Sequence, residues 1–244
     1  MYEYYFIFLG LILLCTIFAV RASSKVRSTY AAFQDVGTRS HATGYDTARK
    51  LLRANGIDDI SIGRVGGELS DHYHPTKKIV NLSASVYGSD SVAAVAVAAH
   101  EIGHVVQKKR GYLPYKLRTW LVPITNVGSR LALPLVLFGL ILDALVLTTQ
   151  NSSFGFYLAL VGVGLYGLAT LFALVTLPVE YDASRRAKRM LVQEGILTEE
   201  ELPYADEMLS AAAQTYVASL ALSLVYFLRF ALWVFMLFGG RRRR

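Results

Sequence analysis

The sequence predicts an α+β membrane protein that is mostly helical. It should hold about four membrane-spanning or membrane-associated helices and a small cytoplasmic region with a β-hairpin and a helix of the pattern His-Glu-x-x-His. Three observations predict this. Apolar residues make up 54% of the 244 residues and charged ones 18%, and mean hydropathy is +0.39, outside the soluble average. Uncharged runs close to the ~20 residues that cross hydrocarbon as a helix recur along the chain. Between the first and second runs lies a polar region in which helix and strand periodicities alternate.

Net charge is +7, and four of the positives are Arg241 to Arg244. The basic residues flank apolar runs, where they fix topology against anionic lipid and do not form a nucleic-acid stripe. The partner this charge pattern predicts is the lipid bilayer, and no nucleic acid. A single cysteine, Cys15, rules out an intramolecular disulfide and a cysteine-rich zinc site, so any metal must be held by histidines and carboxylates.

Residues 1–20 read as an N-terminal membrane anchor. Tyr4 to Val20 is uncharged over 17 residues, with Glu3 before it and Arg21, Lys25 and Arg27 behind it. A cleaved signal peptide would place its positive charge in front.

Residues 21–120 read as a compact cytoplasmic α+β region. "TGYDTARKLLRANGI" predicts a short amphipathic helix lined by Ala48, Leu51 and Leu52, with Gly56 at its C-terminal end. "ISIGRVGGELSDHYHP" and "TKKIVNLSASVY" are β-prone pieces joined by a His-Pro turn, as in a hairpin. "GSDSVAAVAVAAHEIGHVVQKKRG" predicts a helix capped by Ser89 or Ser91, with Lys108, Lys109 and Arg110 at its negative dipole end.

Leu131 to Thr149 and Phe154 to Pro178 form the second and third runs, a transmembrane hairpin over 131–178 with the short polar turn "TQNSSF". Asp143, inside the second run, reads as a carboxylate facing the bundle interior. Residues 179–210 are expected to form a cytoplasmic helix, started at Pro178 and ended at Gly195. Residues 211–240 are a C-terminal apolar helical region split by Arg229, either one long span or a span followed by an interfacial helix.

The segment from Arg21 to Arg118 and "SRRAKR" at 184–189 are rich in cations, whereas the hairpin turn has none. Both should face the cytoplasm, in a cell inner membrane, with the N-terminus outside. The Arg241 to Arg244 tail does not fit that rule if the last stretch crosses fully.

The chemistry sits in "VAAHEIGHVVQ". His100 and His104, one helical turn apart, can bind one cation. Glu101, offset by about 100°, can act on a water beside the metal without being a ligand. Two neutral imidazoles, a third ligand and one open position are what zinc hydrolysis needs, with a carboxylate to take a proton and return it to the leaving amine. Gly103 keeps the helix surface low for a substrate or a neighbouring chain lying across it. Candidates for the third ligand are His41, His72, His74 and nearby carboxylates. Glu180 stands out, because the hairpin returns the chain to the face from which His104 departed.

"SVAAVAVAAHEIGHVVQ", "GELSDHYHP", "TLPVEYDASRRA" and "AAAQTYVA" together resemble the YugP-type family of neutral zinc metallopeptidases of bacterial membranes, over nearly the whole chain. The resemblance implies a gluzincin-like membrane-bound endopeptidase with one Zn2+ per chain, ligands His100, His104 and Glu180, and Glu101 as general base. It is more distantly similar to the HtpX and CAAX-prenyl types, in which an aspartate follows the ligand glutamate by four residues. Here Ser184 holds that position and the acid is Asp182, which leaves the partner that orients a ligand histidine open.

The block "SDHYHP" at Ser70 to Pro75 has several readings: an oxyanion or substrate contact by His72, a second metal site, or a polar turn. Tyr216 is a further possible donor. The strand "KKIVNLS" offers an edge on which an extended substrate can pair. The alternative to a peptidase is a catalytically silent metal-binding scaffold or partner-binding protein, against which Glu101 argues. Cleavage within the bilayer would need the motif inside a span, whereas "QKKRGY" follows it.

Overall fold

The computed structural model describes residues 2–146 and 154–239. Most of the expected polar turn and the Arg241 to Arg244 tail fall outside the described residues. The chain divides into two compact units, one of Val20–Lys116 with Leu177–Tyr216, the other of Met1–Ala19, Leu117–Thr176 and Val217–Arg244.

The first unit begins in helix α1 (Tyr2–Phe33), which continues past the expected anchor boundary. No glycine or proline interrupts 20–33, so the backbone hydrogen bonding has no reason to stop at the end of the apolar run. Its last turns bury Ala22, Thr29 and Tyr30. The Tyr30 hydroxyl donates to the Ser85 carbonyl at 3.1 Å. Helix α2 (Gly44–Ala54) starts at Thr43, whose side chain accepts from Asp46 N while the Asp46 carboxylate accepts from Thr43 N, a capping box. Gly56 follows at φ +65°, the left-handed conformation that glycine adopts without strain.

Three strands follow: β1 (Ser61–Val65), β2 (His72–His74) and β3 (Ile79–Ser83). β2 and β3 form the expected antiparallel hairpin, His74 opposite Ile79. The first β-prone piece, however, holds two strands, and β1 pairs parallel to β3 with Ser61 opposite Ile79. The order β1-β3-β2 puts β3 in the centre, so the strand expected to offer a free edge has both sides occupied. Val80 and Leu82, two residues apart on the same face of β3, are fully buried.

After the short helix α3 (Ala84–Tyr87) comes α4 (Val92–Lys109), the helix that carries the His-Glu-x-x-His pattern. Ser91 caps it, its hydroxyl accepting from Ala94 N at 3.2 Å. The alanine-rich body from Val92 to Ala99 is almost wholly buried, and α2 packs closely along it. At the far end Lys109 and Lys78 both pair with Asp59, at 2.6 and 3.0 Å. Their hydrogen bonds hold the Asp59 carboxyl down at about 2.

Two long helices complete this unit. α6 (Phe154–Gln193) enters it at Leu177, and α7 (Leu202–Gly239) leaves it at Tyr216. The expected helix start at Pro178 is not found, because Pro178 lies inside α6. Proline removes one backbone hydrogen bond and costs about 3 kcal/mol in a helix interior. That is less than would be lost by breaking a helix whose next residues, Val179, Glu180 and Ala183, are fully packed. The 179–210 segment is thus the end of α6, a turn through Gly195 at φ +62°, and the start of α7. Ser40 Oγ donates to Ile196 O at 2.8 Å and Lys25 pairs with Glu207 at 2.7 Å, tying the turn and α7 to the N-terminal segments.

The second unit consists of the apolar parts of α1, α5 (Leu113–Val146), α6 and α7. These four helices are long and apolar enough to cross a membrane. α5 starts well before the expected run and includes Pro123 and Pro134. Asp143 lies within it. α7 is one continuous helix through Arg229. Small residues let α5 and α6 approach closely. A Cβ at Gly162 would lie 2.6 Å from the Ala132 carbonyl, and one at Gly139 would lie 2.5 Å from the Gly155 carbonyl, the small-residue packing typical of helices in lipid. Around this contact Val136, Ala159, Val163 and Val234 form a small core. Outward, α1 exposes Leu9, Leu13 and Leu14, a surface that suits acyl chains.

Candidate metal centre

The centre is made by two helices of the first unit. On α4, His100 and His104 stack one turn apart, their rings 4.8 Å between centroids and 85° between planes. Gly103 lies between them, and a Cβ there would be 2.6 Å from the Ala183 carbonyl. The neighbouring chain that glycine admits is therefore α6. Val179, Glu180, Ala183 and Ala187 form the buried face of α6, at helical spacing, so the contact that needs Gly103 also sets Glu180 against the histidines.

Glu180 Oε2 lies 3.1 Å from His100 Nε2 and 3.5 Å from His104 Nε2. One ligand atom from each of the three residues falls within 4.8 Å of the others. Tetrahedral zinc with bonds of about 2.05 Å separates its ligands by about 3.3 Å, so these residues fit such an ion. Glu180 is 1% exposed and His104 8%, and burial on this scale favours a paired or metal-bound carboxylate.

The other ring nitrogens are also engaged. With both Nε2 atoms turned to the ligand position, each Nδ1 carries the proton and donates: His100 to Ser184 Oγ at 3.1 Å, His104 to Gln107 Oε1 at 3.0 Å. Gln107, fully buried, donates in turn to Val179 O at 2.7 Å and to Asp182 Oδ2 at 2.9 Å. Asp182 also accepts from Arg186 at 2.5 Å and Arg185 at 2.8 Å. Ser184 thus serves His100 directly, and Asp182 serves His104 through Gln107, which resolves the partner question left by the missing aspartate at position 184. Such outer partners fix tautomer and ring orientation, and their loss typically costs about 10–100-fold in metal affinity. A Gln107→Leu chain, nearly volume-conserving, should lose zinc affinity by about that factor while its helical circular dichroism stays unchanged. Competition against a chromophoric chelator measures it, and an unaltered affinity would remove Gln107 from the centre.

Glu101 is largely buried, and among the described residues its carboxylate has no hydrogen bond or ion pair. With His100 it lines a cleft of about 340 Å3. Val97, Met208, Leu209 and Ala212 give the cleft an apolar wall, and Arg27, Asp71 and Tyr216 add polar groups. Asp71 accepts from Ser83 N at 2.7 Å, and burial pushes its carboxyl up despite the Ser83 hydrogen bonds.

The remaining histidines lie elsewhere. His72 is exposed on β2, donating from Nδ1 to Ser70 O at 2.9 Å and accepting at Nε2 from Asn81 at 3.1 Å. It is not brought to the cluster, and Asp71 is the member of "SDHYHP" that reaches the cleft. His41 pairs with Asp90 at 3.3 Å, and His74 accepts from Lys77 N at 3.2 Å. Sequence reasoning missed Gln107, although it follows His104 by three residues on the same helix, and it missed Arg27 and also Asp71, which lies inside the "SDHYHP" block where His72 was singled out.

A model of the family described as "Putative neutral zinc metallopeptidase" matches residues 6–235. Among curated proteins, the chain is 39% identical over 211 residues to "Putative membrane protease YugP" of Bacillus subtilis (strain 168), covering 86% of this chain and 89% of that protein. No solved structure matches the chain.

Proposed function

The chain belongs to this neutral zinc metallopeptidase family, and from that premise we propose that it is a membrane-bound zinc endopeptidase hydrolysing peptide bonds of protein substrates at the cytoplasmic face of the cell inner membrane. The observation that carries the reading is the convergence of His100, His104 and Glu180 beside a Glu101 carboxylate that has no protein partner among the described residues.

Zinc held there would supply Lewis acidity to the scissile carbonyl and to the attacking water. His100 and His104 present Nε2, Glu180 presents Oε2, and Ser184 and Gln107 hold the two imidazoles in the tautomer this needs. Glu101 accepts the proton as the water oxygen bonds to the carbonyl carbon, then delivers it to the nitrogen as the C–N bond breaks. The apolar wall of the cleft receives an apolar side chain next to that bond, and Arg27 and Tyr216 stand as donors to the substrate backbone. Unfolded or membrane-associated proteins are the substrate class that a cleft of this kind on a membrane chain would meet.

The orientation rests on the cation-rich segments at 21–118 and 184–189 and the cation-free hairpin turn. Domain roles follow: residues 21–120 and the 179–210 segment supply the centre, and the apolar stretches hold it in the membrane. A silent scaffold would have no use for an unpartnered carboxylate beside the metal ligands.

Detergent-purified protein with about one zinc per chain should hydrolyse unfolded casein. A zinc chelator should abolish the activity, and zinc returned in near-stoichiometric amount should restore it. Hydrolysis indifferent to chelation would refute the metal-dependent reading.

A further inference from the structure

Arg229 interrupts the last apolar stretch of the sequence, and α7 runs through it without a break. Its guanidinium stays charged at any accessible pH and keeps five N–H donors. Among the described residues no carboxylate pairs with it. Its contact is the face of the Tyr5 ring, 5.8 Å from the centroid, a cation–π arrangement that leaves the edge of the guanidinium available. An ionisable group in a membrane-spanning helix normally faces a partner, and where the described residues supply none a ligand can take that place.

A cavity of about 730 Å3 opens beside it within the same unit, between α1, α5 and α7. That volume lies in the range of built ligand sites, about 300–1,000 Å3. The lining is sorted by polarity. Arg229, Tyr4, Tyr5 and Trp233 carry the polar atoms, and residues such as Phe8, Leu133, Leu137 and Met236 supply the apolar remainder. Tyr5 stands at one end of the uncharged run Tyr4 to Val20, so the guanidinium lies at the level where aromatic residues mark the boundary between hydrocarbon and headgroups. A ligand that fits has an anionic, multiply accepting head and a long apolar tail.

We propose that the Arg229 cavity binds an anionic phospholipid, its phosphate on the guanidinium and an acyl chain along the Leu133–Leu137 wall. A phosphate accepts two parallel N–H bonds from arginine. A net-negative headgroup also neutralises a charge that no described carboxylate compensates, which a zwitterionic headgroup does not do. The inference stands independently of the peptidase reading, since it uses no residue of the metal centre.

The chain has two tryptophans, and Trp233 lines the cavity, so a Trp120→Phe chain reports from this site alone. It is reconstituted in phosphatidylcholine vesicles doped with dibrominated phosphatidylglycerol or dibrominated phosphatidylcholine, and Trp233 fluorescence is followed. Half-quenching is expected at a several-fold lower mole fraction of the anionic lipid. Arg229→Gln should bring the two lipids level, and Arg229→Lys should keep the preference. Millimolar inorganic phosphate should leave the quenching unchanged, because a free anion lacks the tail. Equal quenching by the two lipids in the parent overturns the proposal whether or not any variant folds. So does a preference that survives Arg229→Gln, and relief of quenching by phosphate would reassign the site to a free anion.

Discussion

Replacing Glu101 by glutamine is expected to leave the zinc content and the fold of the chain intact while lowering kcat by about 10²–10⁴-fold, the usual worth of a positioned general acid–base group. Three observations define the expectation. The carboxylate is not among the three groups that converge on the metal position, so the amide removes no ligand. It makes no hydrogen bond or ion pair among the described residues, so no protein partner is orphaned by the change. And it lines the cleft with His100, where a substrate would lie. Glutamine keeps the shape and one acceptor oxygen but cannot take up a proton at neutral pH. KM should therefore change little, since a loss confined to the transition state lowers kcat and kcat/KM together. Steady-state cleavage of a quenched fluorescent peptide by the two proteins, with zinc measured on the same samples, decides it. Activity within a few-fold of the parent would mean that the proton is handled elsewhere and would remove Glu101 as the general base.

What could be read in the sequence divides by range. Local signals gave the short-range structure: the Thr43 and Ser91 caps, the left-handed Gly56, and the helical spacing of His100 and His104 all follow from the identity of residues within one turn. The approach of Glu180 to the histidines was also legible, because a short apolar hairpin returns the chain to its starting side. The helix start expected beside it, at Pro178, is not found. Pro178 suits a first turn, but packing on both sides of it carries α6 straight through. The sheet was harder. A parallel pair such as β1 and β3 needs a long crossover, and nothing in "SIGRV" names its partner or shows that β2, three residues long, would take the other side of β3. Likewise the relay from Asp182 through Gln107 to His104 joins residues 75 positions apart. It becomes visible only once Gly103 has let α6 settle onto α4.

Loss of the Glu180 carboxylate should be felt in the metal itself. Glu180→Ala is expected to weaken zinc binding by more than the roughly 10–100-fold that separates an outer partner from none, so that protein dialysed against submicromolar free zinc retains little of it. The carboxylate is 1% exposed and lies within 3.5 Å of both Nε2 atoms. No other histidine is near enough to replace it, as His41, His72 and His74 are each engaged elsewhere. The zinc affinities should then fall in order: parent, Gln107→Leu, Glu180→Ala. That ordering separates a direct ligand from a residue that only orients one. Alanine is also compatible with the helix and with the small residues, Ala183 and Ala187, already on this face of α6, so α6 should keep its seat against Gly103 and the loss should not be one of folding. Elemental analysis beside circular dichroism tests both halves. Full zinc retention in a folded Glu180→Ala chain would exclude Glu180 as a ligand and would require the third donor to come from the Asp71 side of the cleft.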